Sequence, residues 1–196
     1  MSTIILIAGG SGSGKTTITK NLAKRLDCAV IHHDRYYKNV PVPHKHNYDE
    51  PAALDNQRLQ QDLRLLKANK DAYLPIYDFS THTRKPEQEL VRPRKFIIVE
   101  GILTLAVPEI NRLGDIKIYV EAPADIRLIR RLKRDTVERG RDIESVLKQY
   151  QETVRPMHEK YIRPSKSSSS LIVNGCGTIK NIVEQVEEHI KNQKYR

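Results

Sequence analysis

The residues whose types and spacing could do chemistry begin at position 9. Gly9-Gly10-Ser11-Gly12-Ser13-Gly14-Lys15-Thr16 fill the pattern G-x-x-x-x-G-K-[ST] completely. Glycines there let the backbone fold tightly around phosphate. Lys15 would reach the β- and γ-phosphates, and the Thr16 hydroxyl would sit on magnesium. A glycine-rich structural turn is the bland alternative. The flanking context argues against it. Thr3 to Ala8 is a short apolar run that reads as a buried strand, and Thr17 to Leu26 reads as a helix. Strand, loop and helix in that order aim backbone N–H groups and a helix N-terminus at one anion. The motif therefore implies a nucleoside triphosphate with magnesium.

Two carboxylates follow. Asp34 ends a second strand candidate, Ala29-Val30-Ile31, within His32-His33-Asp34. A carboxylate near a γ-phosphate can accept a proton from an attacking hydroxyl, orient it, or help hold magnesium; otherwise Asp34 is a solvated turn residue. Glu100 closes the apolar run Phe96-Ile97-Ile98-Val99. It is placed for the metal side, or else it is a structural carboxylate.

Two side-chain groups remain. Tyr77-Asp78-Phe79 and His82 form an aromatic and polar cluster in a hydrophilic segment. The rings could stack on a flat base, or equally form a minor core under a loop. Arg127, Arg130, Arg131, Arg134, Arg139 and Arg141 form a run. The first four share one side of a helix at three- and four-residue spacing, and Gly140 breaks it. This reads as a lid closing over transferring phosphates. A basic surface helix paired with Asp125, Asp135, Glu138 and Asp142 is the alternative. His44 and His46 read as surface loop residues, and Ser167 to Ser170 as a surface turn. Nothing supports a nucleophilic triad or a zinc site.

The elements that must position these groups alternate. Beyond those named, a helix is expected over 53–68, carrying the apolar stripe Leu54, Leu59, Leu63 and Leu66. Short extended pieces are expected over 71–90, a strand over 116–120, helices over 124–135 and 142–160, a strand over 171–174 and a helix over 178–192. Alternation of this kind implies an α/β fold with a mostly parallel sheet covered by helices on both faces. Its ligands bind beyond the carboxyl ends of the strands, so 9–16, 32–38 and 100–103 should surround one crevice.

Composition bounds the rest. The chain has 196 residues, 38% hydrophobic and 30% charged, enough for a single domain with a sizeable core. No apolar stretch is long enough to span a membrane, and the N-terminus carries no signal-peptide pattern. Cys28 and Cys176 make no disulfide or metal pattern, which fits a reducing cytoplasm. The net charge of +10 fits nucleic acid or a polyanionic nucleotide. Much of the excess lies at 127–141 beside acidic residues, which favours the nucleotide.

The chain closely resembles the uridine kinase (uridine–cytidine kinase) family of phosphate-loop kinases, in its bacterial form. The matching stretches are AGGSGSGKTT at 8–17, HHDRYYK at 32–38, NYDEPAALD at 47–55, PIYDFSTHTR at 75–84, VEGIL at 99–103, ADIRLIRRLKRDTVERGRD at 124–142 and VLKQYQETVRPMHEKYIRPSK at 146–166. The resemblance implies a three-layer phosphate-loop NTPase fold over 1–196. A nucleoside-binding insertion would occupy about 35–95, and a lid with its following helix about 127–160. It implies transfer of the γ-phosphate of ATP or GTP, with Mg2+, to the 5′-hydroxyl of uridine or cytidine. Asp34 would be the base, with Lys15 and Arg134 catalytic beside it. Gly9 to Gly14, Lys15, Thr16, Thr17, Arg131, Arg134 and Arg139 would bind phosphate, and Thr16 and Glu100 would face the metal. Asp34, Tyr37, Tyr48, Asp49, Tyr77, Phe79, His82, Arg131, Arg139, Arg141 and Gln149 would hold the nucleoside. A homotetramer and feedback by CTP are implied, with no nucleic acid or membrane partner. Departures fall at 104–106, 121–124, 167–170 and 174–175. Rival readings are a kinase of the same fold acting on pantothenate, ribulose phosphate or a nicotinamide nucleoside, and a non-catalytic nucleotide-dependent protein acting on RNA.

Overall fold

The computed structural model describes residues 1–39 and 46–193. Five parallel strands form one sheet in the order β2-β5-β1-β6-β7: β1 (Thr3–Ala8), β2 (Cys28–His32), β5 (Phe96–Glu100), β6 (Ile116–Glu121) and β7 (Leu171–Asn174). β1 lies at the centre, and Ile4 to Ala8 are wholly buried. Successive side chains point to opposite faces. Ile4, Leu6 and Ala8 join one core with Val99, Leu59 and Leu63. Ile5 and Ile7 join the other with Ile18, Leu22, Val183 and Val186. That two-sided burial explains why β1 and β5 read as unbroken apolar runs.

The helices are α1 (Lys15–Ala23), α2 (Asn56–Lys67), α3 (Pro108–Asn111), α4 (Ala124–Val137), α5 (Ile143–Gln149), α6 (Arg155–Met157), α7 (Arg163–Ser165) and α8 (Ile179–Gln193). α1 starts two residues before the expected Thr17, because Gly14, at φ 100°, supplies the left-handed turn ahead of Lys15. α2 starts at Asn56 rather than 53. Pro51–Ala53 is a separate single turn, and the Asp55 carboxylate caps α2 by accepting from the Arg58 amide at 3.1 Å. The single helix expected over 142–160 is instead a longer, uneven one. π-turns at Tyr150–Val154 and His158–Ile162 separate α5, α6 and α7. α3 had no counterpart in the sequence reading.

Residues 71–90 form more than short extended pieces. β3 (Ala72–Asp78) and β4 (Thr83–Val91) make an antiparallel hairpin with an irregularity between Pro75 and Tyr77. β4 is exposed along most of its length, so no apolar alternation marked it. Among the described residues, no helix is long and apolar enough to cross a membrane.

Candidate active site

The crevice forms where the strand order reverses beside β1, at the carboxyl ends of β1, β2 and β5. Gly9 (φ 144°) and Gly12 (φ 80°) need backbone conformations that a side chain resists. A Cβ on Gly9 would also strike the Val120 carbonyl oxygen. The loop thus packs directly on β6. Lys15 is buried, and its Nζ donates to the Gly10 carbonyl at 3.0 Å. Burial lowers its pKa, while Glu100 and Asp34 pull it back up.

Glu100 organises the part of the crevice beside Thr16. Its Oε1 accepts from the Thr16 hydroxyl at 3.0 Å and lies 2.8 Å from His32 Nδ1. Burial alone would raise its pKa, but the His32 hydrogen bond and Lys15 hold the carboxyl below its ordinary range. No cluster of three or more His, Cys, Asp or Glu side chains suited to a metal occurs among the described residues. A hydroxyl and a carboxylate are hard oxygen donors. They suit a Mg2+ ion that takes most of its ligands from phosphate and water.

Asp34 sits on the single turn His33–Tyr36 that follows β2. Its carboxyl is pushed up to about 6, first by burial and then by the negative charge of Glu100. Lys15, His32 and Arg139 pull it the other way. His33 beneath it is buried against Gly101, with Nε2 2.9 Å from Asn56 Oδ1. Burial lowers its pKa to about 4, so it is a neutral structural residue.

Beyond Asp34 the cleft is aromatic. Tyr37 meets Tyr48 edge-on at 5.2 Å and Tyr77 at 5.5 Å between ring centroids. Tyr77 meets Phe79 at 5.1 Å, and Tyr48 meets His82 at 5.2 Å with their planes 31° apart. Phe79 remains 53% exposed, so its ring has room to cover a flat ligand. His82 adopts φ 55° at the hairpin tip, which turns the chain back into β4. Asp49 is buried and accepts from the Thr153 hydroxyl at 3.1 Å.

The arginines separate into two sets, which corrects the expectation of one shared face. Arg131, Arg134, Arg139 and Arg141 converge on Asp135, which is fully buried. Its Oδ1 accepts from Arg134 Nε at 2.8 Å. Oδ2 lies 3.6 and 3.7 Å from Arg131 and Arg141, too far for hydrogen bonds. Gln149 Oε1 accepts from Arg131 at 2.8 Å and Arg141 at 2.7 Å, and Ser11 Oγ accepts from Arg131 at 2.9 Å. Gly140, at φ 61°, lets the Arg141 amide return to the Asp135 carbonyl at 2.9 Å. Arg130 lines the same cleft but donates to the Gly175 carbonyl, and Arg127 turns away to the Ala122 carbonyl.

One cleft of about 660 Å³ unites these groups. Ser11, Gly12, Gly14, Lys15, Thr16 and Thr17 line it at one end. Asp34, Glu100, Arg131, Arg134, Arg139, Arg141 and Gln149 line its middle, and Tyr37, Tyr48, Asp49, Tyr77, Phe79 and His82 its far end. Gly9, Gly10 and Ser13 shape the loop without lining the cleft. Asp78 is a turn residue, accepting from the Ser80 amide at 2.8 Å. His46 stacks edge-on with Tyr48 at 4.8 Å rather than standing free at the surface; His44 lies outside the described residues.

Two residues escaped the sequence reading as site residues. Asp135 holds the arginines, and its four-residue spacing from Arg131 and Arg139 was the available signal. Arg84 anchors the hairpin to the loop after β2. It donates to the carbonyls of Tyr36 at 2.7 Å and Tyr37 at 2.8 Å, and to Asp55 at 3.0 Å. Nothing local foretold those partners.

Fold and site define a phosphate-loop kinase. The chain belongs to the phosphoribulokinase/uridine kinase family, whose profile matches residues 4–181. It is 44% identical to a protein named uridine kinase from Clostridium tetani, over 96% of this chain and 94% of that one. A uridine kinase from Chloroflexus aurantiacus is 43% identical over the same shares. The fold also superposes on phosphoribulokinase from Rhodobacter spheroides with a TM-score of 0.65, at 15% identity, over 90% of this chain and 73% of that one.

Proposed function

We propose that this chain transfers the γ-phosphate of ATP or GTP to the 5′-hydroxyl of uridine or cytidine, yielding UMP or CMP. One observation carries the reading. Asp34 stands in a single cleft between a phosphate loop and a pocket walled by aromatic rings and His82. Those are the two ends that a direct transfer between nucleotide and nucleoside requires. Relatives named uridine kinase, similar over nearly the whole chain, support the choice of acceptor.

The proposed steps use this chain's own groups. Tyr37, Tyr77 and Phe79 hold the base, and His82 hydrogen-bonds its edge. Asp49, Arg131, Arg141 and Gln149 orient the sugar. The 5′-hydroxyl then faces Asp34, which accepts its proton as the oxygen attacks phosphorus in line. Lys15, Arg134 and Arg139 meet the charge on the transferring phosphoryl group. Thr16 and Glu100 would hold Mg2+, which would supply positive charge to offset that of the phosphates. A pKa near 6 suits Asp34 to this role. It is ionised at neutral pH, yet it is a stronger base than an ordinary aspartate.

The test is a phosphorylation assay with ATP and magnesium. The acceptors are uridine, cytidine, thymidine, adenosine, pantothenate and ribulose 5-phosphate. UMP and CMP alone are expected. Turnover of another acceptor, with silence on uridine and cytidine, would overturn the pocket assignment and keep the phosphate-transfer machinery. In the same assay Asp34→Asn should lose about 10²- to 10⁴-fold in turnover with little change in nucleotide affinity. Full activity would remove Asp34 as the base. By family resemblance we also propose a cytoplasmic homotetramer inhibited by CTP. Light scattering tests the tetramer, a CTP titration the inhibition, and cell fractionation the location.

A further inference from the structure

A second cavity, of about 520 Å³, opens between β6, β7 and the segment 158–169, and reaches Gly10 of the phosphate loop. The reading above gives it no task. Two of its lining side chains are buried and keep polar atoms without a hydrogen-bond partner among the described residues. Arg127 is 6% exposed, and its Nε donates to the Ala122 carbonyl at 3.1 Å. Among the described residues its terminal nitrogens have no hydrogen bond and no carboxylate lies within ion-pairing distance. His158 is 7% exposed, and its buried Nδ1 has no partner among the described residues. It opens the second π-turn, a backbone irregularity that proteins use mostly at functional sites.

The surroundings do not supply the missing charge. Lys166 pairs with Glu121 at 2.6 Å and Arg163 with Glu159 at 2.6 Å, so those cations are already matched. Buried charges are normally paired. Arg127 therefore stands as a largely buried residue whose guanidinium has no carboxylate partner among the described residues, at the wall of a cavity large enough to admit an anion. Tyr119, Pro164 and Ile172 give the same cavity an apolar side.

We propose that this cavity is a second anion site, where Arg127 and His158 hold one compact oxyanion, a phosphate or carboxylate group of a small metabolite. The site touches the phosphate loop directly. A Cβ on Gly10 would lie 2.5 Å from Arg127 Nη1, and one on Gly12 would strike the Arg127 carbonyl oxygen. Drawing the guanidinium toward an anion therefore moves the group that packs behind the loop. The coupled quantity is nucleotide affinity. This consequence rests on the phosphate loop binding nucleotide and is independent of the acceptor proposed above.

A protonation change accompanies binding. Burial, Arg127 and Arg163 lower the His158 pKa to about 4, so the free ring is neutral at pH 7. The charged or titratable groups facing it are Arg127 on α4, Lys15 on α1, Glu159 and Arg163 on its own segment, and Tyr119, Glu121 and Lys166 across the cavity. An anion in this set favours the imidazolium.

The experiment uses the whole protein saturated with magnesium and a non-hydrolysable ATP analogue, so that the phosphate loop is already filled. The His158 ring nitrogens, assigned with His158→Gln, are followed by NMR during titration with inorganic phosphate, then acetate, at constant ionic strength. The expected result is a saturable His158 shift toward the protonated form, weakened at least about tenfold in Arg127→Gln. A response to phosphate alone assigns a phosphate group, and a response to both assigns any compact oxyanion. A His158 signal unmoved by either anion overturns the proposal. So does a response that survives Arg127→Gln. Should Arg127→Gln fail to fold, calorimetry of phosphate binding to the wild type and His158→Gln decides the same question. Equal heats in both would overturn the site.

Discussion

The phosphate loop and the arginine cluster line the same cleft, and they are built by opposite means. The loop is backbone. Eight consecutive residues supply its shape, through glycines that tolerate positive φ and through packing on β6. Its charge is one buried lysine held by the loop's own carbonyl. The arginine cluster is side chain. Four guanidinium groups gather on one carboxylate, Asp135, with a second anchor at Gln149. A backbone site is preorganised and cannot relax far. A cluster held by one shared counter-ion can exchange that ion for another. The long contacts at Asp135 Oδ2 show where the cluster is already loosely held. The difference teaches how one cleft combines a preorganised backbone loop with side chains gathered on a shared counter-ion.

The predictions that break or sharpen this comparison run from large to small. Lys15→Ala should cut turnover by about 10²- to 10³-fold while leaving the thermal midpoint unchanged or slightly higher, since a buried cation is removed. A large fall in midpoint by calorimetry would mean that the loop depends on side-chain charge after all. Asp135→Ala should do the reverse. It strips the arginines of their common partner and should cost about 3–5 kcal/mol of stability, lowering the midpoint by roughly 6–20 °C. An unchanged denaturation midpoint would show that the cluster does not need its carboxylate. His82→Ala lies outside both regions. It should raise the apparent KM for uridine and cytidine by about tenfold, the worth of one hydrogen bond to a base edge. Turnover should hold, and steady-state kinetics decide between the two terms.

The smallest expected effect links the two regions through pH. The folded pKa of Asp34, about 6, exceeds its ordinary 3.8. The proton stabilises the folded state, so this contribution is fully present below about pH 4 and lost as pH rises through 6. Asp34→Asn should therefore raise the midpoint at pH 8 and leave it unchanged near pH 4. Equal midpoints at pH 8 would mean that Lys15 and Arg139 already compensate the charge.

Legibility followed the same division. β1, β5 and the loop between β1 and α1 were readable because their determinants are local: apolar runs buried on both faces, and glycines at fixed offsets. α2 was readable from its leucine stripe, though its start shifted to the Asp55 cap. The hairpin was only half readable. β3 is partly buried, while β4 has no core face to impose a period of two. The π-turns at Tyr150–Val154 and His158–Ile162 left no mark in the apolar spacing, because a single wide turn costs a helix one residue of register and no change of composition.

By itself the sequence determined the phosphate loop, the parallel α/β class and the identities of the carboxylates and rings that the cleft would need. Those follow from short-range chemistry, in which neighbours along the chain are the relevant neighbours in space. Only the tertiary structure decided that four of the six arginines share Asp135 while Arg127 turns away into a cavity beside His158. It alone decided that Arg84 ties the hairpin to Tyr36 and Tyr37. Partners such as these lie tens of residues apart or on different faces of one helix. The charge on an arginine says nothing of which anion it will meet until packing has fixed the distance.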